Sequence, residues 1–539
     1  MDPLAAVSTR ATPQSRRAAG AEGARQTPNA AGGYAFAVPD DVRVRRFLTL
    51  GTDGGTYYAS ERGLTAKNAR VVLDAARDRA AWLTAEVLAV STAGRAPRQN
   101  PALFALAAAA SLGDDAGRRA ALDALPAVAR TGTHLFLFAR YVEQFRGWGR
   151  GLRRAVGAWY LDRDVDGLAY QAAKYRQREG WSHRDLLRLA HPAVGPADTA
   201  RRDVFEWILR GTPSEIPLLR AFAAAQAATD VATWVRLVEE HPLSWEMLPD
   251  AALTEADVWR ALLAKGLPQT ALLRQLPRLT RLGVLTQRAA ATRRVADQLV
   301  DGRRLRRARV HPVTVLVAAR TYASGRGARG GGEWAPVRRV VDALDAAFYA
   351  AFGAVEPAGR RTLLALDVSG SMTTAVSGLP LSCREASAAL ALVTMATEPD
   401  TTVVGFTATG GRSWSRDTGL TELSISPRQR LDDAIRTVSG LPYGGTDCSL
   451  PITWATDRRL AVDTFVVYTD NETWAGRIHP HQALRQYRER MGVDARLVVV
   501  GMTANDVSIA DPADERMLDV AGFDAAVPTL IADFSRGDL

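Results

Sequence analysis

Near residue 360 the apolar residues of this chain change period, and no other feature constrains the fold as strongly. From about residue 65 to 355 they recur at steps of three and four, the signature of helices with one buried stripe. Beyond 360 they come as short runs rich in Val, at Leu363–Val368, Thr402–Phe406, Thr464–Tyr468 and Leu497–Met502. Each run is long enough for a strand buried on both faces. Two such patterns in series predict two units of different architecture.

In the first unit, Val72, Ala76, Ala80, Leu83, Val87 and Val90 form one stripe, which predicts a helix over 67–90 with Thr65 as its N-cap. Further helices are predicted over 101–111, 117–131, 133–146, 182–189, 215–227, 230–240 and 255–266, separated by Gly, Pro or Asp. Single-striped helices with short connections pack as antiparallel pairs, and stacked pairs make an α-solenoid. No strict repeat is visible, so irregular HEAT-like pairs fit better than a regular array. A compact helical bundle is the alternative, although about 300 residues is large for one core. In the second unit, helical patterns at 384–397, 427–439, after Thr446 and at 479–491 alternate with the strands. That order implies a doubly wound, mainly parallel sheet.

The chain has 539 residues, 47% hydrophobic and 23% charged, which excludes a wholly disordered or fibrous protein. No run reaches the roughly 18 apolar residues of a membrane span. Residues 1–28 are small, polar and Arg-dotted, without the apolar stretch of a secretory signal, and read as a disordered tail. The expected division is 1–28, 29–358 and 359–539. The glycine-rich stretch 324–332 reads as a loop, either a plain surface loop or a flexible basic element beside nucleic acid. Two cysteines, Cys383 and Cys448, make no disulfide framework, which suits a reducing compartment and a cytoplasmic location. With 68 basic against 58 acidic residues the net charge is +10, a prior for polyanionic partners.

Ligands of parallel sheets bind beyond the carboxyl ends of the strands. Three segments fall there: Asp367-Val-Ser369-Gly-Ser371, then Gly444-Gly-Thr446-Asp447, then Thr469-Asp470-Asn471. Carboxylates and hydroxyls are hard ligands suited to Mg²⁺ or Mn²⁺ and unsuited to zinc. Asp367, Ser369, Ser371, Thr446 and Asp470 are therefore the expected ligands of a divalent cation, most simply Mg²⁺. The histidines show no zinc spacing; His479-Pro-His481 reads as a helix cap.

A second constellation is basic. Lys174, Arg176, Arg178, His183, Arg184 and Arg188 crowd one segment, with Tyr175 and Trp181 among them and Glu179 and Asp185 opposed. Such groups neutralise phosphate and stack on unpaired bases. The same segment also reads as a solvated helix face with Trp181 in the core and His183 as a structural histidine. Arg153-Arg154 and the run Arg303, Arg304, Arg306, Arg307, Arg309 are further clusters; the latter holds five arginines in seven residues with no acid between.

DVSGSM, GGTD and TDN resemble the metal-ion-dependent adhesion site of von Willebrand factor A domains. GGTDCSLP and FVVYTDNETW are similar to the Ro ribonucleoprotein (TROVE) family. So are Asn29–Phe36, Arg45–Tyr58, Leu64–Asn68, Lys174–Leu189 and Leu267–Arg274, in that order, which extends the resemblance over residues 29–539. One departure is Gln275-Leu-Pro277 after Arg274, where the family has Asn-Leu-Gly; Pro277 lacks a backbone donor. The resemblance implies a monomeric ring of HEAT-like pairs closed by the A domain, with RNA contacts around the Trp-Ser-His stretch and at Arg274. It implies single-stranded ends of misfolded noncoding RNA in the hole and small Y RNAs on the outer surface. It also implies a Y RNA tether to polynucleotide phosphorylase in bacterial members, and work in RNA quality control, maturation or decay, often under stress. The adhesion site is mostly non-catalytic, its open position taking a partner's carboxylate.

Two competing readings exist. In one, the protein is a metal-dependent adaptor with a helical scaffold and no RNA role. In the other, Asp367 is a phosphoryl-accepting nucleophile; Ser369 stands where a second acid is wanted and Lys is scarce nearby, so no catalytic residue is assigned. Neither a catalytic triad nor a P-loop appears.

Overall fold

The structure, a computed structural model, describes residues 11–51, 61–178, 180–327, 332–353, 355–376, 380–408, 419–427, 429–441 and 444–539. Residues 52–58 of the Arg45–Tyr58 motif, residues 1–10 of the expected tail, Glu179 and residues 328–331 of the glycine-rich stretch lie outside them.

Helices run from Asp40–Leu50 to Arg338–Phe352. Aspartates set many of their starts: Asp114, Asp164, Asp198 and Asp230 each accept the amide three residues on. Such caps satisfy one of the free amides that every helix start exposes. The helices pack as stacked neighbours. Asn100–Leu112 lies on Gly132–Phe145, Val165–Lys174 on Thr199–Arg210, Val231–Glu240 on Ala256–Lys265, and Gln269–Arg281 on Pro312–Ala323. This is the irregular α-solenoid that the patterning predicts.

Two boundaries differ from expectation. The stripe over 67–90 spans two helices, Glu61–Asp78 and Ala80–Ala93, so Thr65 is an interior residue. Arg79 breaks them at φ −152° and ψ 50°, pairs with Asp41 and stacks on Trp82 at 4.0 Å. The stripe survives because both helices, broken at a single residue, face the same core. Residues 117–131 likewise divide, into Asp115–Asp123 and Leu125–Val128, where Pro126 restarts the helix.

The tail is a correction. Residues 11–28 were expected to be disordered, yet they hold a helix, Gly20–Ala24, and strand β1 (Gln26–Pro28), which pairs with β2 (Tyr34–Ala37). Gln14 is wholly buried in the A domain: its amide donates to Asp447 Oδ1 and Ile478 O, both at 2.8 Å, and accepts from Thr473 Oγ1 and Gly476 N. Small polar residues read as disordered because their partners lie more than 400 positions away. A hairpin follows in the helical unit, β3 (Gln177–Arg178) with β4 (Trp181–Ser182).

The second unit contains β5 (Thr362–Asp367), β6 (Thr401–Phe406), β7 (Leu420–Glu422), β8 (Thr464–Thr469), β9 (Arg496–Gly501), β10 (Val507–Ser508) and β11 (Met517–Ala521). Its sheet has the order β11-β9-β8-β5-β6-β7, all parallel except the edge strand β7. β10 instead joins β2 antiparallel. Alternate residues serve two cores. Leu364, Leu366, Val466, Tyr468, Val498 and Val500 join the core of the helical unit, while Leu363, Ala365, Phe465, Val467, Leu497 and Val499 face a separate one. The patterning missed β7 and β11, which are only partly buried and carry polar residues.

Both ends of the helical arc rest on the A domain. From the first end, Arg46 bonds Asp519 at 2.7 and 2.8 Å, Asn68 donates to Ala504 O at 2.9 Å, and Arg95 pairs with Asp524. From the last end, Arg320 pairs with Glu385 and Arg430 with Asp342 at 2.8 Å. His311 joins all three parts, its Nε2 lying 3.0 Å from Arg95 O and 2.7 Å from Phe523 O. The arc is therefore closed into a ring.

Candidate nucleic-acid groove and metal centre

The basic segment folds as a helix end, the β3–β4 hairpin and the helix His183–Ala190. A capping box fixes that last helix: Ser182 Oγ accepts from Asp185 N at 3.3 Å, and Asp185 Oδ2 accepts from Ser182 N at 3.0 Å. Asp185 is thus spent on the cap, and Arg184 and Arg188, one turn apart, stay exposed. Arg176, Arg178 and Arg184 line one groove of about 820 Å³, together with Trp207, Arg210 and Phe222. Arg176 sits 5.6 Å over the Phe222 ring, and Arg210 pairs with Glu206 at 2.8 Å. Arg176, Arg178, Arg184 and Arg188 meet no carboxylate among the described residues. Trp207 and Arg210 were missed; their signal is a shared face, three positions apart, on the next helix, Thr199–Arg210.

Other expected contacts are placed differently. His183 is only 2% exposed and lies at the floor of that groove, packed into the core. Its Nδ1 lies 2.8 Å from the Tyr160 hydroxyl, and its ring meets Phe136 edge-on at 4.8 Å. Burial pushes its pKa down to about 4, so it is neutral. Burial matches the structural-histidine reading of the segment; helix phase alone does not show what covers a helix start.

Lys174 is only 9% exposed at its side chain. Its Nζ lies 3.3 Å from the Tyr170 hydroxyl and 3.5 Å from Glu246, with the Tyr170 and Tyr175 rings each at 5.3 Å. Burial opposes its charge, but the tyrosines and Glu246 outweigh it and raise the pKa. Trp181 is half-buried against Trp148, ring centres 5.7 Å apart. Arg274 is exposed on the helix Gln269–Arg281, outside the groove, and Pro277 lies inside that helix instead of in a turn.

At the other site, β5 and β8 are neighbours whose register sets Asp367 beside Thr469. Thr469 Oγ1 donates to Asp367 Oδ2 at 2.6 Å, and Ser369 N donates to Oδ1 at 2.9 Å. Ser369 and Ser371 hydroxyls are 3.1 Å apart, and Glu472 N donates to Asp470 Oδ1 at 3.2 Å. Asp367, Ser369, Ser371, Thr446 and Asp470 are all buried. Burial, and then the Asp367 charge, push the Asp470 carboxyl well up; burial likewise raises Asp367. Thr446 lies on a facing loop, where its carbonyl accepts from Trp474 N at 3.1 Å and Ala475 N at 3.0 Å. An added Cβ on Gly445 would stand 2.9 Å from the Trp474 ring, so that loop needs its glycine. Among the described residues no three His, Cys, Asp or Glu side chains cluster as a metal site; the oxygens gathered here come from two carboxylates and from hydroxyls. Two buried carboxylates at a strand switch point, ringed by hydroxyl oxygens, fit a hard divalent cation.

His479 and His481 tie down the N-terminal segment. His479 Nε2 donates to Arg16 O at 2.8 Å, and His481 Nε2 lies 3.1 Å from Glu22.

A ring of helical repeats closed by an A domain, with a basic groove and an oxygen-rich strand-end site, defines the class of protein. Residues 27–227 and 233–321 match the TROVE domain, and residues 361–535 match the Ro60 vWA domain. The chain is 45% identical to the RNA-binding protein RO60 of Deinococcus radiodurans over 526 residues, 96% of each chain. It is 35% identical to the RNA-binding protein RO60 of Caenorhabditis elegans, covering 95% of this chain and 90% of that one. The crystal structure of the Deinococcus radiodurans RO (RSR) protein superposes with a TM-score of 0.70, covering 93% of this chain and 100% of that one. The chain belongs to the Ro family of TROVE-domain proteins. No helix among its described residues is long and apolar enough to cross a membrane.

Proposed function

We propose that this chain is a non-catalytic RNA-binding protein of the Ro type, a monomeric cytoplasmic ring. It binds small Y-like RNA and the single-stranded ends of misfolded or structured noncoding RNA, and delivers them to maturation or decay with an exonuclease partner, polynucleotide phosphorylase held through a tethering RNA. One observation carries the reading: Arg176, Arg178 and Arg184 converge on one groove with Trp207 at its side and no carboxylate opposite them among the described residues. A scaffold without an RNA role would not keep such cations together and unneutralised. Guanidinium groups grip phosphates, and an aromatic wall stacks an unpaired base. His183 holds the floor beneath them as a positioning residue.

For single-stranded RNA, each phosphate neutralised contributes about −0.7 to the slope of log affinity against log salt. Replacing Arg176, Arg178 and Arg184 by Ala should flatten that slope by about 2 and leave the thermal midpoint unchanged. An unaltered slope would remove the groove from the RNA site.

Asp367, Ser369, Ser371, Thr446 and Asp470 would hold Mg²⁺, which when bound supplies an electrophilic position for a partner's carboxylate or phosphate. Asp367→Ala should abolish Mg²⁺ uptake in calorimetry. Retained stoichiometric uptake would dismiss this ligand set.

A further inference from the structure

The densest basic cluster of the sequence lies at the joint of the ring. The helix Gly302–Arg307 starts on Asp301, whose carboxylate accepts from Arg303 N at 2.9 Å and Arg304 N at 3.1 Å and pairs with Arg304 at 3.5 Å. That is the only carboxylate the cluster meets among the described residues. Arg303, Arg306, Arg307 and Arg309 are exposed and unpaired there.

The helix ends with Arg309 N on Arg306 O and Val310 N on Leu305 O, both at 3.0 Å. This closure sets Arg309 at φ +48°, a left-handed position that favours glycine. Arg309 packs on Gly94, the residue that ends the helix Ala80–Ala93 at the opposite end of the arc. An added Cβ on Gly94 would stand 2.8 Å from the Cβ of Arg309.

Arg130 faces the same joint. Its guanidinium donates only to neutral acceptors: the Ser91 carbonyl at 3.2 Å, the Ser91 hydroxyl at 2.9 Å, the Ala127 carbonyl at 3.4 Å and Gln99 Oε1 at 3.4 Å. Burial, and then the charge of Arg309, push its pKa down to about 10. Like charges gathered at a joint repel one another and attract an anion. A row of exposed guanidiniums suits the successive phosphates of a polymer.

We propose that this joint is a second RNA site, apart from the Lys174–Arg188 groove. Phosphates of an RNA strand bind Arg306, Arg307 and Arg309 from the last helices and Arg130 from the first, and so clamp the ring shut. The proposal rests on the RNA-binding reading and adds a location and a mechanical consequence to it.

The test uses the full chain and fluorescein-labelled oligouridylate. In the variant Arg306→Ala/Arg307→Ala/Arg309→Gly, the salt slope should flatten by about 2, three contacts at about 0.7 each. The thermal midpoint without RNA should stay equal or rise, because glycine is at ease at that backbone angle. Hydrogen exchange reads the clamp. The Ala525 amide, bonded to Arg95 O at 3.2 Å across the joint, should exchange more slowly when RNA is added to the parent and show no slowing in the variant. A parent that binds RNA while the variant keeps its slope overturns the second site and leaves the groove standing. RNA binding with no change at Ala525 overturns the clamp. A parent that ignores RNA at every salt concentration sinks both the site and the function it rests on.

Discussion

At the scale of the residue, buried histidines tie part of this protein's stability to pH. His134, His183, His311 and His481 are each pushed down to about 4, burial being the first cause in all four. His311 shows the reason in its bonds. Its Nε2 faces two carbonyls and must carry the proton, while Nδ1 accepts from Val313 N at 3.1 Å. A second proton would cancel that bond inside the joint, where burial outweighs the pull of the Asp524 charge, itself paired with Arg95. Unfolded, such a histidine takes its proton near 6.5, so between 6.5 and about 4 the unfolded state binds more protons. Stability is then full above 6.5 and falls as pH drops toward 4, by about 3 kcal/mol for one such residue. Burial raises the carboxyls of Asp367, Asp447, Asp470 and Glu472, which pull the other way, so the histidine share is read by difference: between neutral pH and about pH 5 the urea midpoint of the parent should lose more, or gain less, than that of His311→Gln. Equal changes in parent and variant across that window would contradict neutral burial of His311.

At the scale of the element, the N-terminal segment behaves as a strap on the A domain. It spans the loop that leaves Asp470: Asn29 Nδ2 donates to Thr473 O at 2.7 Å, Ala31 N to Glu472 at 3.1 Å, and Gln14 fills the space between Asp447 and Ile478. Gln14→Ala would strand several buried polar groups at once, for a cost on the order of 2 kcal/mol. Chemical denaturation should show that loss, with the near-ultraviolet signal of Trp474 altered as its loop loosens. An unchanged midpoint would mean that the segment lies on the domain without stabilising it. The hairpin β3–β4 teaches the complementary lesson. Its arginines were legible because they are adjacent in sequence, whereas Trp207 and Arg210 join the groove only through the packing of the next helix pair.

At the scale of the whole molecule, closure of the ring depends on a few charges buried between units. Arg46 is 1% exposed, and besides Asp519 it donates to Asn505 O at 2.7 Å and Val507 O at 2.9 Å. Arg46→Ala leaves Asp519 without its cation and should cost about 3–5 kcal/mol, while removing both charges with apolar residues recovers much of it. Limited proteolysis should open the joint in the single variant and spare the double one. Equal protease resistance in parent and Arg46→Ala would show that other contacts hold the ring.

Amino-acid order alone makes the local periods and the short-range chemistry legible. It gave the helix stripes, the four Val-rich strands of the parallel sheet and the Asp-x-Ser-x-Ser turn, because each depends on neighbours a few positions apart. The edge strands β7 and β11 escaped it because half-exposed strands lack an apolar run. Tertiary structure decided what covers what: that His183 is floor and Arg184 rim, that the supposed tail is a strap, and that Arg309 meets Gly94. Those outcomes depend on pairs of residues tens to hundreds of positions apart, and the burial that fixes them exists only once the elements that carry them have packed together.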